Sequence, residues 1–176
     1  MMIGIMTIIY MVFIMTKYFT SDWHLNHKRL LEFGHRPFKT NKENEETLIN
    51  NWNKKVKDND TVFILGDFIF SGGVAKKHKI YKQLKGNKVY IAGNHDFKLG
   101  DLLGGYIEML GGGWELVHNP DDSSASKVIH GHIHLPNAVR IHKQKNGRLF
   151  VNVNCELWDY SPVSIKQISK EVKKLK

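Results

Sequence analysis

Four stretches of this chain share one pattern, in which a short apolar run of β-favouring residues ends in polar side chains. The clearest covers residues 88–91, after which a glycine leads into Asn94, His95 and Asp96. Ligand sites in open α/β sheets lie outside the carboxyl ends of strands, so these side chains stand where chemistry is usually placed. Four such ends predict one shared site. The other three runs end in Asp22 and His24, in Asp67, and in His132 and His134.

Apolar residues at helical spacing separate these strands. Residues 43–56 carry Leu48, Trp52 and Val56 on one helix face, and Thr40 before them opens a capping box. The first half of the chain therefore alternates strands and helices. The same periodicity predicts further helices over residues 25–33, 74–84 and 163–175.

The second half of the chain consists mostly of predicted strands. A short strand covers residues 114–117, and Asn146 followed by glycine lies between two β-favouring runs, which is a strong hairpin signal. Residues 102–113 and 121–126 are glycine-rich or polar and predict loops. This order of elements predicts an α/β fold in which two sheets pack face to face and helices flank them.

Composition narrows the choice of partners and of metal ligands. The chain of 176 residues has 26 basic and 17 acidic residues, a net charge of +9, which favours phosphorylated or polyanionic partners. Solvated lysines on helix faces explain the same charge equally well. Cys155 is the only cysteine, so an internal disulfide and a cysteine-based zinc site are excluded, and a reducing, cytoplasmic location is expected. A metal would have to be held by His, Asp and Asn.

Residues 1–14 are uncharged and almost wholly apolar. A membrane span needs about 20 such residues, and a signal peptide needs a basic start and a small-residue cleavage site, which are missing here. We therefore expect no membrane span and a single domain over residues 15–176, with residues 1–14 as an upstream extension and Met15 as the working start. A longer first strand and a membrane-surface anchor are the alternatives.

The polar residues at the strand ends are the donors that divalent metals prefer, namely imidazole nitrogen and carboxylate or amide oxygen. Asp22 and His24 lie two residues apart on an extended segment and so point to one side, as do His132 and His134. Two metals held about 3.5–4 Å apart clamp the attacking and leaving oxygens in phosphoryl transfer.

The order of these blocks resembles the calcineurin-like metallophosphoesterase superfamily, in particular its small single-domain members from bacteria and phages. The resemblance runs from about residue 18 to residue 162 and includes the stretch Arg36-Pro37-Phe38. The blocks that carry it are Asp22-x-His24, Gly66-Asp67, Gly93-Asn94-His95-Asp96, His118 after an apolar strand, and Gly131-His132-x-His134.

The resemblance implies a four-layer α/β/β/α sandwich with two mixed sheets and a dinuclear metal site. Manganese is the favoured metal, with iron, nickel and zinc as alternatives, and Asp67 would bridge the two ions. The implied reaction is hydrolysis of a phosphomonoester or phosphodiester, with a hydroxide bound to both metals as nucleophile. The implied ligands are Asp22, His24, Asp67, Asn94, His118, His132 and His134.

Substrate contacts are expected from residues around this centre. In the family's pattern His95 faces the substrate as catalytic acid or phosphate ligand, beside Asn94, and Asp96 would orient His95. His27 lies one helical turn beyond His24 and is a candidate to reach the phosphate, with a structural role as the alternative. Arg36 is a candidate to bind substrate, although a salt bridge beside Pro37 is the favoured role. Structural roles are expected for His35, His78, His130 and His142.

The substrate predicted on this basis is a phosphorylated small molecule or a nucleotide, with nucleic acid as an alternative. Two other functions stay open: a catalytically silent scaffold or binding protein of the same fold, and a nucleic-acid module or nuclease. The latter depends on the charge of +9 and on a lysine-rich helix around residues 76–85. The sequence leaves the physiological substrate and the oligomeric state open.

We expect a chain that begins at Met15 to fold and to hydrolyse phosphoesters as the full chain does, because the predicted first strand starts just after it. Thermal melting and a hydrolysis assay of both chains check this. A large fall in melting temperature on truncation would instead make residues 1–14 part of the core.

Overall fold

The strands of the structure form two mixed β-sheets. The computed structural model describes residues 15–32, 36–96, 109–110 and 113–175. The first sheet contains β1 (Lys17–Thr20), β2 (Thr61–Leu65), β3 (Asn87–Ile91) and β9 (Val163–Ser164), in the order β3-β2-β1-β9. β1, β2 and β3 run parallel, whereas β9 runs antiparallel to β1. The carboxyl ends of the three parallel strands therefore meet at one edge.

The second sheet repeats this arrangement with a parallel centre. β5, β6 and β8 are parallel neighbours, and β4 and β7 pair antiparallel at the two edges. The strand order is β4-β5-β6-β8-β7. The strands are β4 (Met109–Leu110), β5 (Trp114–Leu116), β6 (Lys127–His130), β7 (Ile141–Lys143) and β8 (Leu149–Asn152).

The described residues form four α-helices, of which α2 and α4 begin at side-chain caps, Thr40 and Ser164. The Thr40 hydroxyl accepts a 3.1 Å hydrogen bond from the backbone N–H of Glu43. The Glu43 carboxylate accepts from Lys39, one residue before the cap, so only half of the predicted capping box forms. The helices are α1 (Lys28–Glu32), α2 (Asn41–Lys55), α3 (Gly73–Tyr81) and α4 (Ile165–Lys173).

A shared apolar core holds the two sheets face to face. Phe19 on β1 and Phe63 on β2 stack with ring centroids 5.3 Å apart. Ile129 on β6 and Val151 on β8 belong to the same cluster from the other sheet, and both are fully buried. A second cluster, which includes Trp52 of α2, covers the opposite face of the first sheet. The predicted α/β fold with two face-to-face sheets and flanking helices is confirmed.

The sheets also join directly at the ends of β1 and β8. Ser21 forms a parallel bridge with Asn154. Its N–H donates to the carbonyl of Val153, and its carbonyl accepts from the N–H of Cys155, each at 3.1 Å. Because β1 and β8 belong to different sheets, this bridge fixes the carboxyl ends of both sheets against each other.

Several predicted boundaries differ from the observed ones. The last predicted helix begins two residues late because Val163 and Ser164 pair with β1 as β9. α3 ends at Tyr81, three residues before its predicted end. Residues 121–126, predicted as a loop, begin within a 3-10 helix (Pro120–Asp122). The hairpin around Asn146 forms as predicted, with β7 and β8 antiparallel.

Some predictions fall on residues that lie outside the described ranges. These include the extension over residues 1–14, His35, and most of the predicted loop over residues 102–113, of which residues 109–110 form β4. Within the described ranges, no helix has the length and apolar character needed to cross a membrane.

Candidate metal centre

The predicted ligands lie at the carboxyl ends of parallel strands from both sheets. Asp22 and His24 follow β1, Asp67 follows β2, and Asn94 follows β3. In the second sheet, His118 follows β5, while His132 and His134 follow β6. The bridge between β1 and β8 brings these two sets of strand ends together.

Asp22, His24 and His134 form one cluster of donor atoms, which we call the first donor cluster. Nε2 of His134 lies 3.4 Å from Oδ1 of Asp22, and Nε2 of His24 lies 3.8 Å from the same oxygen. Asp22 is fully buried and His24 is buried, so water competes little for these atoms.

Asn94, His118 and His132 form the second donor cluster. Oδ1 of Asn94 lies 3.0 Å from Nε2 of His118 and 3.1 Å from Nδ1 of His132. The two imidazole nitrogens lie 3.2 Å apart. His118 approaches with Nε2 because its Nδ1 is 2.8 Å from the carbonyl of Leu65.

Asp67 lies between the two clusters. Its Oδ2 is 3.4 Å from Nε2 of His24 and also 3.4 Å from Nε2 of His118. Its Oδ1 accepts a 2.9 Å hydrogen bond from the backbone N–H of His95. One carboxylate oxygen thus faces one imidazole of each cluster.

This donor set fits divalent cations. The Nε2 atoms of His24 and His134 lie 3.2 Å apart. Two unprotonated nitrogens at that separation repel each other unless a proton or a cation stands between them. Imidazole nitrogens combined with carboxylate and amide oxygens are ligands of manganese, iron, nickel and zinc. The seven predicted ligands are therefore brought together in two adjacent clusters around Asp67.

The backbone at the centre adopts conformations that side chains rarely take. Asp22, His24, Asp67 and His132 have φ angles of 58°, 45°, 53° and 69°. Left-handed conformations of non-glycine residues typically cost about 1–3 kcal/mol each. Such strain persists only where the surroundings fix it, and here it turns four side chains toward one point.

Two glycines of the motifs allow strand ends to approach closely. A Cβ atom on Gly93 would collide with the Asp67 carboxylate, and one on Gly131 would lie 2.5 Å from Oδ2 of Asp22. Glycine is needed at both positions because the carboxylates occupy the space of a side chain. These glycines belong to the predicted motifs, and the structure supplies their physical reason.

Asp96 lies elsewhere than the sequence led us to expect. Its Oδ2 accepts hydrogen bonds from the backbone N–H groups of Asp67, at 2.6 Å, and Gly93, at 2.7 Å. The predicted contact that orients the His95 ring is not among the hydrogen bonds of the described residues. The buried Asp96 carboxylate instead joins the end of β2 to the end of β3, because unpaired amides there are too costly to leave buried.

His95, His27 and the partly exposed Phe70 lie on the solvent side of the centre, which we call its mouth. The His95 ring is 5.4 Å from the His24 ring and 5.5 Å from the Phe70 ring, between centroids. His27 packs edge-on to Phe70, and its Nδ1 accepts a 2.9 Å hydrogen bond from the N–H of Leu30. Nε2 of His27 is therefore the ring nitrogen that can reach a ligand.

Arg36 is buried within the protein and does not line the mouth. Its Nε donates to Oε1 of Glu156 at 2.9 Å, in a salt bridge with both side chains almost fully buried. This geometry agrees with the structural alternative for Arg36 and not with its predicted role in substrate binding. A buried guanidinium with paired donors has little capacity to bind a further anion.

Sequence reasoning missed Glu156, which contacts a predicted metal ligand. Oε1 of Glu156 lies 3.2 Å from Nδ1 of His134, on the side of the ring opposite the donor cluster. Glu156 lies in a 3-10 helix (Cys155–Trp158) just after β8. The available signal was a further apolar strand, β8, that ends in polar residues.

The structure weakens the argument for a metal-free nucleic-acid module. Of the five lysines in the predicted basic helix, Lys77 is buried and Lys76 forms a 3.0 Å ion pair with Glu45. Lys82 caps the helix and Lys85 lies beyond it. Two of the five lysines are thus withdrawn from solvent or paired, while Lys79, Lys82 and Lys85 remain exposed.

Carboxylates around the centre shift the pKa values of two ligand histidines. Burial lowers the pKa of His118, but its hydrogen bond with Asp67 and the nearby Asp22 carboxylate outweigh burial and raise it to about 9. Burial also opposes protonation of His134, yet hydrogen bonds with Asp22 and Glu156 raise its pKa to about 9. Without a cation, protons on these rings neutralise the acidic centre.

Known proteins are similar to this chain in sequence or in fold. Residues 15–148 match the model of the calcineurin-like phosphoesterase family. An uncharacterized protein of Methanocaldococcus jannaschii is 39% identical over 162 residues, which cover 89% of this chain and 91% of that protein. The gene 66 protein of Mycobacterium phage L5 is 37% identical over 81 residues, 45% of this chain and 39% of that protein. A crystal structure of an Aquifex aeolicus protein of unknown function aligns with a TM-score of 0.63 and 25% identity, over 88% of this chain and 98% of that chain.

We expect metal binding to release protons in a pH-dependent way. A histidine whose pKa is raised on folding stabilises the folded state fully below its unfolded pKa, about 6.5, and this stabilisation disappears as pH rises through about 9. The metal-free protein should therefore lose stability between pH 7 and 9, while divalent cations bind more tightly because fewer protons must leave.

Calorimetric titration with Mn²⁺ in buffers of different ionisation enthalpy measures this release. We expect release of about two protons near neutral pH and little above pH 9. The variant His142→Ala, which alters an exposed histidine on β7, should release the same number. Proton release that does not change with pH would contradict the assignment.

Proposed function

This chain belongs to the calcineurin-like phosphoesterase family, and from that membership we propose that it is a metal-dependent phosphoesterase. The reaction proposed is hydrolysis of phosphomonoester or phosphodiester bonds. The observation that carries the proposal is the position of Asp67, whose Oδ2 lies 3.4 Å from one imidazole of each donor cluster. A carboxylate shared by two clusters is the expected feature of a two-metal centre.

The two clusters would hold one divalent cation each. The ligands of the first cation would be Asp22, His24 and His134. Asp67 would be a ligand of both cations. When bound, such cations supply a nucleophile at neutral pH and neutralise charge that develops on phosphate oxygens. The other ligands of the second cation would be Asn94, His118 and His132. Manganese is the metal we propose, with iron, nickel and zinc as alternatives of the same donor preference.

His95 is the proposed catalytic residue. Its side chain is exposed, and its backbone N–H is bonded to the Asp67 carboxylate, which holds the residue beside the centre. From there its ring can donate a proton to a leaving oxygen or a hydrogen bond to a phosphate oxygen. His27 and Asn94 are the further substrate contacts that we propose.

The proposed substrate is a phosphorylated small molecule or a nucleotide. His95, Asn94 and His132 are exposed, so the described residues leave the centre open to solvent. A silent scaffold of the same fold would not need two clusters of converging donors with strained backbone. A metal-free nucleic-acid module would need a continuous basic surface, to which the buried Lys77 and the ion-paired Lys76 of α3 contribute little.

We expect hydrolysis of nitrophenyl phosphomonoesters or phosphodiesters that a chelator abolishes and Mn²⁺ restores. Asp67→Ala should lose this activity and most bound metal, because two neighbouring cations would lose the anion that they share. Elemental analysis and steady-state kinetics measure both effects. Asp58→Ala, in an exposed turn, is the matched control and should retain both.

Full activity in exhaustively demetallated protein would refute the proposed mechanism. Asp67→Ala protein that retains a full pair of metals would show that Asp67 is not shared.

We expect His95→Ala and His95→Asn to retain metal but to lose turnover in a way that depends on the leaving group. General acid catalysis contributes roughly 100- to 10,000-fold. Hydrolysis of alkyl esters, which need the proton, should fall by that order, and hydrolysis of nitrophenyl esters should fall far less. Kinetics on matched alkyl and nitrophenyl esters, with metal content checked, measure the difference.

Equal losses on both ester types would indicate that His95 stabilises phosphate charge and does not donate the proton. Unchanged rates on both would remove His95 from the mechanism. His142→Ala should leave both rates as they are.

A further inference from the structure

The guanidinium of Arg36 is buried beneath the metal centre with all its hydrogen-bonding capacity in use. Arginine has five N–H donors in a planar fork. Nε donates to Glu156 at 2.9 Å, and the other four hydrogens have partners on three separate segments of the chain. These partners are the carbonyls of Asp22 and Trp23, Oδ1 of Asn44 and Sγ of Cys155.

Two of these bonds hold the turn that carries the ligands of the first donor cluster. Nη2 donates to the carbonyl of Asp22 at 2.6 Å, and Nη1 to the carbonyl of Trp23 at 2.7 Å. These short contacts have the length expected of hydrogen bonds from a charged donor. The turn is strained, because Asp22 and His24 both have positive φ angles. Arg36 thus stabilises the conformation that directs the side chains of Asp22 and His24 into the cluster.

Glu156 connects Arg36 to His134, the third ligand of the first donor cluster. Its Oε1 accepts from Nε of Arg36 and lies 3.2 Å from Nδ1 of His134. A carboxylate can only accept, so in the neutral form of His134 this contact places the proton on Nδ1 and leaves Nε2 unprotonated toward Asp22. A ligand histidine must present an unprotonated nitrogen.

Asn154 offers His134 the opposite arrangement. Its Nδ2 also lies 3.2 Å from Nδ1 of His134 and would donate to it. Donation from Asn154 would place the ring proton on Nε2, where it would block a metal. The charged Glu156 competes more strongly for Nδ1, and Nδ2 of Asn154 can donate to the carbonyl of Ile133 instead.

We propose that Arg36 and Glu156 are positioning residues that act together on the first donor cluster: Arg36 holds the Asp22–His24 turn, and Glu156 selects the metal-binding form of His134. This inference rests on the proposed function, because it assumes that the cluster holds a cation. It gives Arg36 a role in selective metal binding that acts through other residues and not through substrate.

The variant Glu156→Gln tests the pair with little change of shape. Because Oε1 alone contacts both Arg36 and His134, the amide oxygen of glutamine can take its place. Loss of the negative charge then lets Asn154 compete for Nδ1 of His134, which favours the proton on Nε2. We expect affinity at the first donor cluster to fall by roughly 10- to 100-fold, the usual effect of removing such an outer contact. Affinity at the second donor cluster should stay unchanged, since His118 is oriented by the carbonyl of Leu65.

Arg36→Lys is the second variant. It retains a charge for Glu156 but cannot bond the two carbonyls and the carboxylate with one planar fork. We expect the same selective loss at the first cluster, together with a lower melting temperature. The matched control is Glu115→Gln, a carboxylate that is hydrogen-bonded to the hydroxyl of Ser123 away from the centre. It should bind metal as wild type does.

The readouts are Mn²⁺ titration calorimetry, the electron paramagnetic resonance signal of a spin-coupled manganese pair, and thermal melting. Glu156→Gln should bind one ion normally and the other weakly, and should lose the coupled signal at Mn²⁺ levels that saturate wild type. Glu156→Gln protein with wild-type affinity for both ions would overturn the inference, as would equal weakening at both sites in step with a fall in melting temperature.

Failure of the proposed function would give a different experimental result. Wild-type protein that binds none of manganese, iron, nickel and zinc would overturn the proposed function and this inference with it. A wild-type protein with a coupled pair of ions, and a Glu156→Gln variant that keeps that pair unchanged, would overturn the inference alone. If Arg36→Lys does not fold, Glu156→Gln and its control decide the question.

Discussion

At the strand ends, electron-rich atoms face one another at short distance. The rest of the structure depends on this constraint. The Nε2 atoms of His24 and His134 approach to 3.2 Å, and Oδ2 of Asp67 faces two imidazoles at once. Such an arrangement is unfavourable in a protein without protons or cations to occupy it. The fold must therefore hold these atoms in place with contacts that do not use the inward-facing lone pairs.

For Asp67, His118 and His134, those contacts come from the side of the ligand that points away from the centre. The backbone N–H of His132 donates to the Asp22 carboxylate at 3.0 Å, and the amide of His95 donates to Asp67. Asp96 holds the backbone of Asp67 in the same way. Each carboxylate thus accepts hydrogen bonds from backbone N–H groups and still presents lone pairs toward the donor cluster.

Much of this centre could be predicted from the sequence because it follows from periodicity. Parallel strands align their carboxyl ends, so polar residues after β1, β2 and β3 had to meet once the elements were recognised. The close approach at Gly93 and Gly131 leaves a sequence signal as well, since no other residue fits there.

The contacts that hold the ligands could not be predicted by the same reasoning. Glu156 and Arg36 are 120 positions apart, and their pairing depends on how the two sheets pack. Asp96 adjoins His95 in sequence, which suggested a contact between their side chains, but the buried amides of Asp67 and Gly93 take its Oδ2 instead. The short strand β9 was missed because two residues are too few to show an alternating pattern, and only its pairing with β1 separates it from α4.

The distribution of the ligands over the two sheets has a mechanical consequence. The first donor cluster takes Asp22 and His24 from one sheet and His134 from the other, so a cation bound there would join both layers of the sandwich. A ligand that binds only the folded protein raises its stability in proportion to the logarithm of ligand concentration. The metal would then act as a cross-link at the open edge of the sandwich, in a chain whose single cysteine excludes an internal disulfide. The spacing of the two clusters would in turn be set by the apolar packing between the sheets, which makes Phe63 and Ile129 part of the geometry of the centre although neither touches it.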